Sequence, residues 1–373
     1  MRIALNAIRS RLAVFSLAIG AAGGVIIALP PVSFAETSSW SRDLSVEGAA
    51  PRASASGKLQ SRPARRATTK KRRVKTKQAA ASAENKAPVP GGEGVAGAFE
   101  AFRSSHFLTA LERAKAAAEK GDAAAHTLVG RIVAEGRGVP RDPKTAAAWY
   151  ARGMELGDEN AAFALGVLTA RGDGIAKDHV RAADLFANAS RQGHIGATYN
   201  LAIAFLTGTG RPTDEAGGAR LMRVAAKAGN HRAQYDLGTL YASGTGVAQN
   251  DRAAAEWTGK AARAGIVDAQ LDYAIMLFKG RGVAKDEKRA AWFFRSAAAR
   301  GNPVAQNRLA RLYAVGVGVE QSRVLAAKWH TLARQRGVAD FKLDVIVSKL
   351  SLANRKDVAR EVAAFAETNL LAD

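Results

Sequence analysis

The sequence predicts an all-α fold: an α/α superhelix (solenoid) of about six and a half 36-residue repeats, closed by C-terminal capping helices. A signal peptide and a disordered basic linker are expected ahead of it. Three observations carry this reading. A Gly-x-Gly pair returns every 36 residues without an insertion or deletion. Each unit between the pairs has the grammar of two helices. The chain has 47% hydrophobic residues but only 6% aromatic ones, and no cysteine, so its core must come from small residues packed closely. Absent cysteine also removes disulfides, thiolate nucleophiles, iron–sulfur clusters and cysteine-ligated zinc.

The first element is residues 1–35. Arg2, Arg9 and Arg11 precede the uncharged run Leu12 to Leu29, Pro30-Pro31 ends any helix there, and Ser33-Phe34-Ala35 offers small residues at the cleavage positions. This is the three-part pattern of an exported protein, expected to be cut after Ala35 and to work in the periplasm or at the envelope. The alternative is an inner-membrane anchor through residues 12–29, since eighteen apolar residues just span a bilayer.

Residues 36–96 are rich in Ser, Ala, Pro, Gly and Lys, a composition that cannot repay its lost conformational entropy. The segment holds the run KLQSRPARRATTKKRRVKTK, Lys58 to Lys77, with no acid in it. Of the formal +22, residues 1–35 hold +3, residues 36–95 hold +8 and the remainder +11. Arg65, Arg66, Lys70, Lys71, Arg72 and Arg73 are the candidate residues for an anionic surface, a lipid or cell-wall polymer in an exported protein. No aromatics are interleaved for base stacking, so nucleic acid is supported only as a salt-sensitive phosphate attraction, and not in an exported chain. The bland alternative is a solvated spacer.

The repeats run over 97–337, with complete units over 122–337. The pairs fall at Gly136/Gly138, Gly172/Gly174, Gly208/Gly210, Gly244/Gly246, Gly280/Gly282 and Gly316/Gly318, and a lone glycine suited to a helix end recurs from Gly121 to Gly337. Asp122, Asp158, Asn230 and Asn302 are candidate N-caps for the first helix of a unit. Asp142, Asp178, Asp214, Asn250, Asp286 and Ser322 are those for the second. Repeats of this length stack into a solenoid. Gly217-Gly218 inside the third unit's second helix costs about 1–2 kcal/mol against alanine and marks that repeat as the expected soft point. Residues 338–373 read as two capping helices, Val338 to Ala353 and Arg355 to about Leu371, with Val345, Leu350, Val358, Val362 and Phe365 as packing residues.

Ala233-Gln234-Tyr235-Asp236-Leu237-Gly238-Thr239-Leu240-Tyr241 followed by Gly244-Thr245-Gly246-Val247 resembles the Sel1-like repeat, a longer-looped relative of the tetratricopeptide repeat. That resemblance implies a superhelix that scaffolds protein–protein interactions without chemistry of its own. No histidine pair has metal-ligand spacing, and the glycine pairs join helix to helix rather than strand to helix, so neither a metal, a cofactor nor an enzymatic activity is expected.

In helical-repeat superhelices the first helices line the concave side. There the candidate partner-binding residues are Tyr199, Asn200, Tyr235, Asp236, Asp272 and Arg308, tyrosines beside an amide and carboxylates. The competing reading packs the tyrosines between helices. The function expected is a scaffold or regulatory adaptor for another protein of the envelope or membrane. The alternatives are a membrane- or cell-wall-associated factor docked through the basic linker, and a secreted effector that binds a host protein.

Overall fold

A computed structural model describes residues 92–370, and side chains up to residue 367. The expected signal segment, the alternative anchor and the basic run with Arg65 to Arg73 lie outside the described residues. Among those described there are sixteen helices and no strand. They are α1 (Gly94–Arg103), α2 (Phe107–Glu119), α3 (Ala123–Glu135), α4 (Pro143–Glu155), α5 (Glu159–Arg171), α6 (His179–Arg191), α7 (Ile195–Thr207), α8 (Glu215–Lys227), α9 (His231–Ser243), α10 (Asp251–Arg263), α11 (Val267–Lys279), α12 (Glu287–Ala299), α13 (Pro303–Val315), α14 (Arg323–Gln335), α15 (Phe341–Ser348) and α16 (Leu352–Leu370). From α3 to α14 they form six pairs, an A helix followed by a B helix. Each helix packs chiefly against the one before and the one after it.

Local chemistry sets the helix bounds. All six expected residues before the B helices cap them: the side chains of Asp142, Asp178, Asp214, Asn250, Asp286 and Ser322 each accept a first-turn amide. Each such cap is worth about 1 kcal/mol. The A helices end at Gly136, Gly172, Gly208, Gly244, Gly280 and Gly316, all with left-handed backbone. The second glycine of each pair does different work. At Gly246 a Cβ would stand 2.1 Å from the Glu215 carbonyl oxygen, at the start of the preceding B helix. The loop of one repeat therefore seats directly on the backbone of the previous one.

Packing follows a small-against-large rule. Gly166 on α5 lies under the Phe186 ring of α6, where a Cβ would come within 2.8 Å of it, and Gly130 on α3 lies under Tyr150 in the same way. The fifth unit keeps Phe294 in the column of Tyr150 and Phe186 and adds a second ring. Tyr273 on α11 takes the usual leucine position, and Gly259 on α10 clears space for its ring. Phe294 is 1% exposed among Ala274, Ala297 and Ala298, and burying such a ring stabilises by about 1.5–3 kcal/mol.

Two local expectations are revised. Gly218 is no slack in α8: a Cβ there would meet Leu206 Cγ at 2.7 Å and the Ala202 carbonyl oxygen at 3.0 Å, so glycine permits a close helix contact. The first capping helix is shorter than expected. The chain from Val338 stays outside the helix until Asp340 caps α15, accepting from the Lys342 amide at 3.1 Å. Leu350 and Val358 are buried against Ala327, and the Phe365 ring meets Trp329 at 5.5 Å, so the caps cover the last B helix.

Candidate functional site

The A helices hold the residues singled out for partner binding, and the fold joins several of them across repeat boundaries. The Tyr199 hydroxyl on α7 donates to the Asp236 carboxylate on α9 at 2.8 Å. The Tyr235 hydroxyl on α9 donates to Asp272 on α11 at 2.6 Å. Both bonds span 37 residues, one repeat plus one position, because each tyrosine precedes the carboxylate column by a single residue. The result is a rung between neighbouring A helices, made twice.

Burial divides the six candidates. Tyr235 is 1% and Asp236 3% exposed, so neither stands on the surface as an anchor; Tyr235 takes the inter-helix position that the sequence offered as its competing reading, and Asp236 is buried with it. Tyr199, Asn200, Asp272 and Arg308 are half-buried and reach solvent. Burial holds the Arg308 guanidinium below its ordinary pKa, Arg311 beside it adds repulsion, and Asp340 works against both. Asp340 is itself the seam between the last repeat and the caps. It takes a hydrogen bond from Asn307 Nδ2 at 3.2 Å and an ion pair from Arg311 at 2.6 Å.

Other seams were readable in the sequence but were not singled out there. Gln234, Gln270 and Gln306 occupy one 36-residue column, and each Nε2 donates to the last turn of the preceding B helix, at Ala226, Ala262 and Ala298. Arg300 and Arg336 form another column, reaching back to the carbonyls of Gly265 and Gly301. Arg223 and Arg295 donate to the Tyr241 and Tyr313 hydroxyls at 3.0 and 2.8 Å. In the intervening unit arginine and tyrosine are replaced together, by Gly259 and Leu277. That joint replacement was the available signal.

The chemistry of this face is hydrogen bonding and charge. Among the described residues, no group of three or more His, Asp or Glu side chains is placed to hold a metal ion, and no helix is long and apolar enough to cross a membrane. His330 Nε2 pairs with Asp344 at 2.8 Å, a staple between α14 and α15. This bond, more than the neighbouring Arg334, holds the Asp344 carboxyl below the usual carboxylate range.

Comparison with known proteins fits this geometry. The family model described as the Sel1 repeat matches residues 123–158, 160–194, 195–230, 231–266, 267–302 and 303–338, unit for unit with the helix pairs. No curated protein matches. A solved Sel1 repeat protein from Oxalobacter formigenes is 27% identical, with a TM-score of 0.57 over 65% of this chain and 97% of that one. A protective antigen of uropathogenic Escherichia coli strains, described as displaying an SLR fold, is also 27% identical. It aligns with a TM-score of 0.49 over 69% of this chain and 64% of its own length.

Proposed function

This chain belongs to the Sel1 repeat family, whose members are generally protein–protein interaction scaffolds, and on that premise we propose that it is a non-enzymatic scaffold or adaptor of the bacterial envelope. The partner is another protein, bound along the A-helix face. The observation that carries the reading is the Tyr–Asp ladder. It locks α7, α9 and α11 together and leaves Tyr199, Asn200, Asp272 and Arg308 at the edge of a preorganised strip. Preorganised polar and aromatic groups lower the entropy cost of binding. The address rests on the export pattern of residues 1–35.

Crosslinking in intact cells tests both halves. Asn200→Ala with Arg308→Ala is expected to reduce partner capture while the protein stays folded, and the mature chain is expected to begin at Glu36 in an envelope fraction. Undiminished capture by a folded variant would remove the A-helix face. A soluble cytoplasmic pool that keeps Met1 would remove the address.

A second reading is favoured by the acid-free Lys58 to Lys77 run, which suits docking to an anionic lipid or cell-wall polymer. Deleting it separates the two. If fractionation collapses while partner capture survives, the run is an anchor and the repeats are the binding surface.

A further inference from the structure

The positive charge of the repeats is unevenly divided between the two helix rows. The five B helices that the caps leave uncovered, α4 to α12, carry thirteen lysines and arginines against six acids, whereas the six A helices carry six against five. A one-signed excess along one row creates a field directed outward from that row. On α12 in the same row stands Trp292. Four of the equivalent positions hold Ala148, Asp184, Arg220 and Glu256, small or charged as a solvent-facing site requires, while in α14, under the caps, Lys328 pairs with Glu361. Trp292 is 58% exposed, with its ring edge-on to Phe293 at 4.8 Å. Lys288 and Arg289 lie one turn before it and Arg295 one turn after, all exposed, so the indole and three cations share one face of α12. Val180 and Val224, on α6 and α8, are further exposed apolar side chains of this row.

We propose that the B-helix row docks on the anionic headgroup surface of a phospholipid bilayer, with Trp292 seated at the interface and Lys288 and Arg289 on the phosphates. An indole with an apolar body and one N–H is the side chain that favours the boundary between headgroups and acyl chains. Long basic side chains around it place their charge in the headgroup layer while their stems cover apolar surface. A nucleic acid would satisfy the cations but not the rest. Successive bases need successive aromatic platforms, and in this row one exposed indole has exposed valines for company. This docking is independent of the partner proposed for the A helices. It is also separate from the basic run of residues 58–77.

The experiment is co-sedimentation of the full chain with vesicles of phosphatidylglycerol and phosphatidylcholine, against phosphatidylcholine alone. The variants are Lys288→Glu with Arg289→Glu, Trp292→Ala, and neutralisation of Arg65, Arg66 and Lys70 to Arg73. Residues 288 and 289 lie in the first turn of α12, where acids are favourable, so the double reversal keeps the helix. Helicity and thermal unfolding confirm it. The double reversal is expected to weaken binding to anionic vesicles about tenfold or more, both alone and in the tail-neutralised chain. Trp292→Ala is expected to weaken it as well, and Trp292→Phe to remove a lipid-induced blue shift of the emission. Binding unchanged by the double reversal, or equal on neutral vesicles, overturns the proposal. So does a double reversal that acts while Trp292→Ala does not, which would assign the row to an acidic protein or a nucleic acid.

Discussion

The Tyr235 hydroxyl and the Asp272 carboxylate, 2.6 Å apart, join the A helices of two successive repeats, and Tyr199 and Asp236 repeat the bond one unit earlier. A hydrogen bond to a charged acceptor contributes about 1.5–3 kcal/mol when its donor is buried. Tyr235→Phe keeps the ring and removes only the hydroxyl, and is expected to lower unfolding free energy by about 1.5–3 kcal/mol in urea titrations. Tyr235→Ala also empties a site that is 1% exposed and is expected to cost about 3–5 kcal/mol. A neutral Tyr235→Phe would show that ring packing alone holds the seam. Partner-binding tests therefore belong on Asn200 and Arg308, not on Tyr235.

The two glycines of one loop are expected to differ in their tolerance of a side chain. At Gly244 a Cβ meets ordinary contacts from 3.4 Å, so Gly244→Ala bears only the strain of its left-handed backbone, about 1 kcal/mol. At Gly246 the same strain is joined by an approach of 2.1 Å to the Glu215 carbonyl oxygen. Gly246→Ala is thus expected to cost about 2 kcal/mol or more beyond Gly244→Ala, because the repeat interface must open. Thermal unfolding of the pair measures the gap. Equal midpoints would mean that the loop does not bear on the preceding helix.

Periodicity made the helix pairs, their caps and the loop glycines legible, because each repeats six times and each repeat tests the others. What lay beyond it depended on distance between columns. Whether Tyr235 faces solvent or the next repeat is set by the small rotation from one unit to the next, and no single unit encodes that rotation. The two tyrosines therefore had two readings in the sequence; Tyr235, 1% exposed, lies between the helices, while Tyr199 is half-buried and reaches solvent. The glutamine column was visible, but its purpose needed the carbonyls of Ala226, Ala262 and Ala298 in place. The Gly217-Gly218 pair misled because helix propensity treats glycine as a loss, while at a close crossing it is a requirement.

That last point makes Gly218→Ala informative. Propensity alone predicts a gain of about 1 kcal/mol from alanine in a helix interior. The Leu206 Cγ at 2.7 Å and the Ala202 carbonyl oxygen at 3.0 Å oppose it, and forced repacking costs about 1–3 kcal/mol. The variant is expected to be less stable than the parent in chemical denaturation. A more stable Gly218→Ala would restore the third repeat as a soft point of low intrinsic helicity.

His194 provides a pH dependence with a definite sign. Its Nδ1 accepts the Ala197 amide at 2.9 Å and so caps α7, while its ring stacks on Phe163 at 4.2 Å. Nδ1 can accept only when it carries no proton, so the cap needs the neutral ring. Burial, the largest influence, pulls the His194 pKa below its ordinary value of 6.5, against the opposing pull of Glu159 and Asp158. The unfolded chain therefore binds the proton more readily than the folded one. The stabilisation is complete above about 6.5 and is lost as pH falls from there through the lower folded pKa. The equivalent positions in the fourth and sixth units carry Asn230 and Asn302, which cap without titrating. His194→Asn is expected to keep the cap near pH 7.5 and to lose less thermal stability than the parent on going to about pH 5.5. The remaining histidines are common to both proteins, so the difference between the two curves isolates this ring. Parallel curves would mean that the protonated imidazole finds another arrangement at the start of α7.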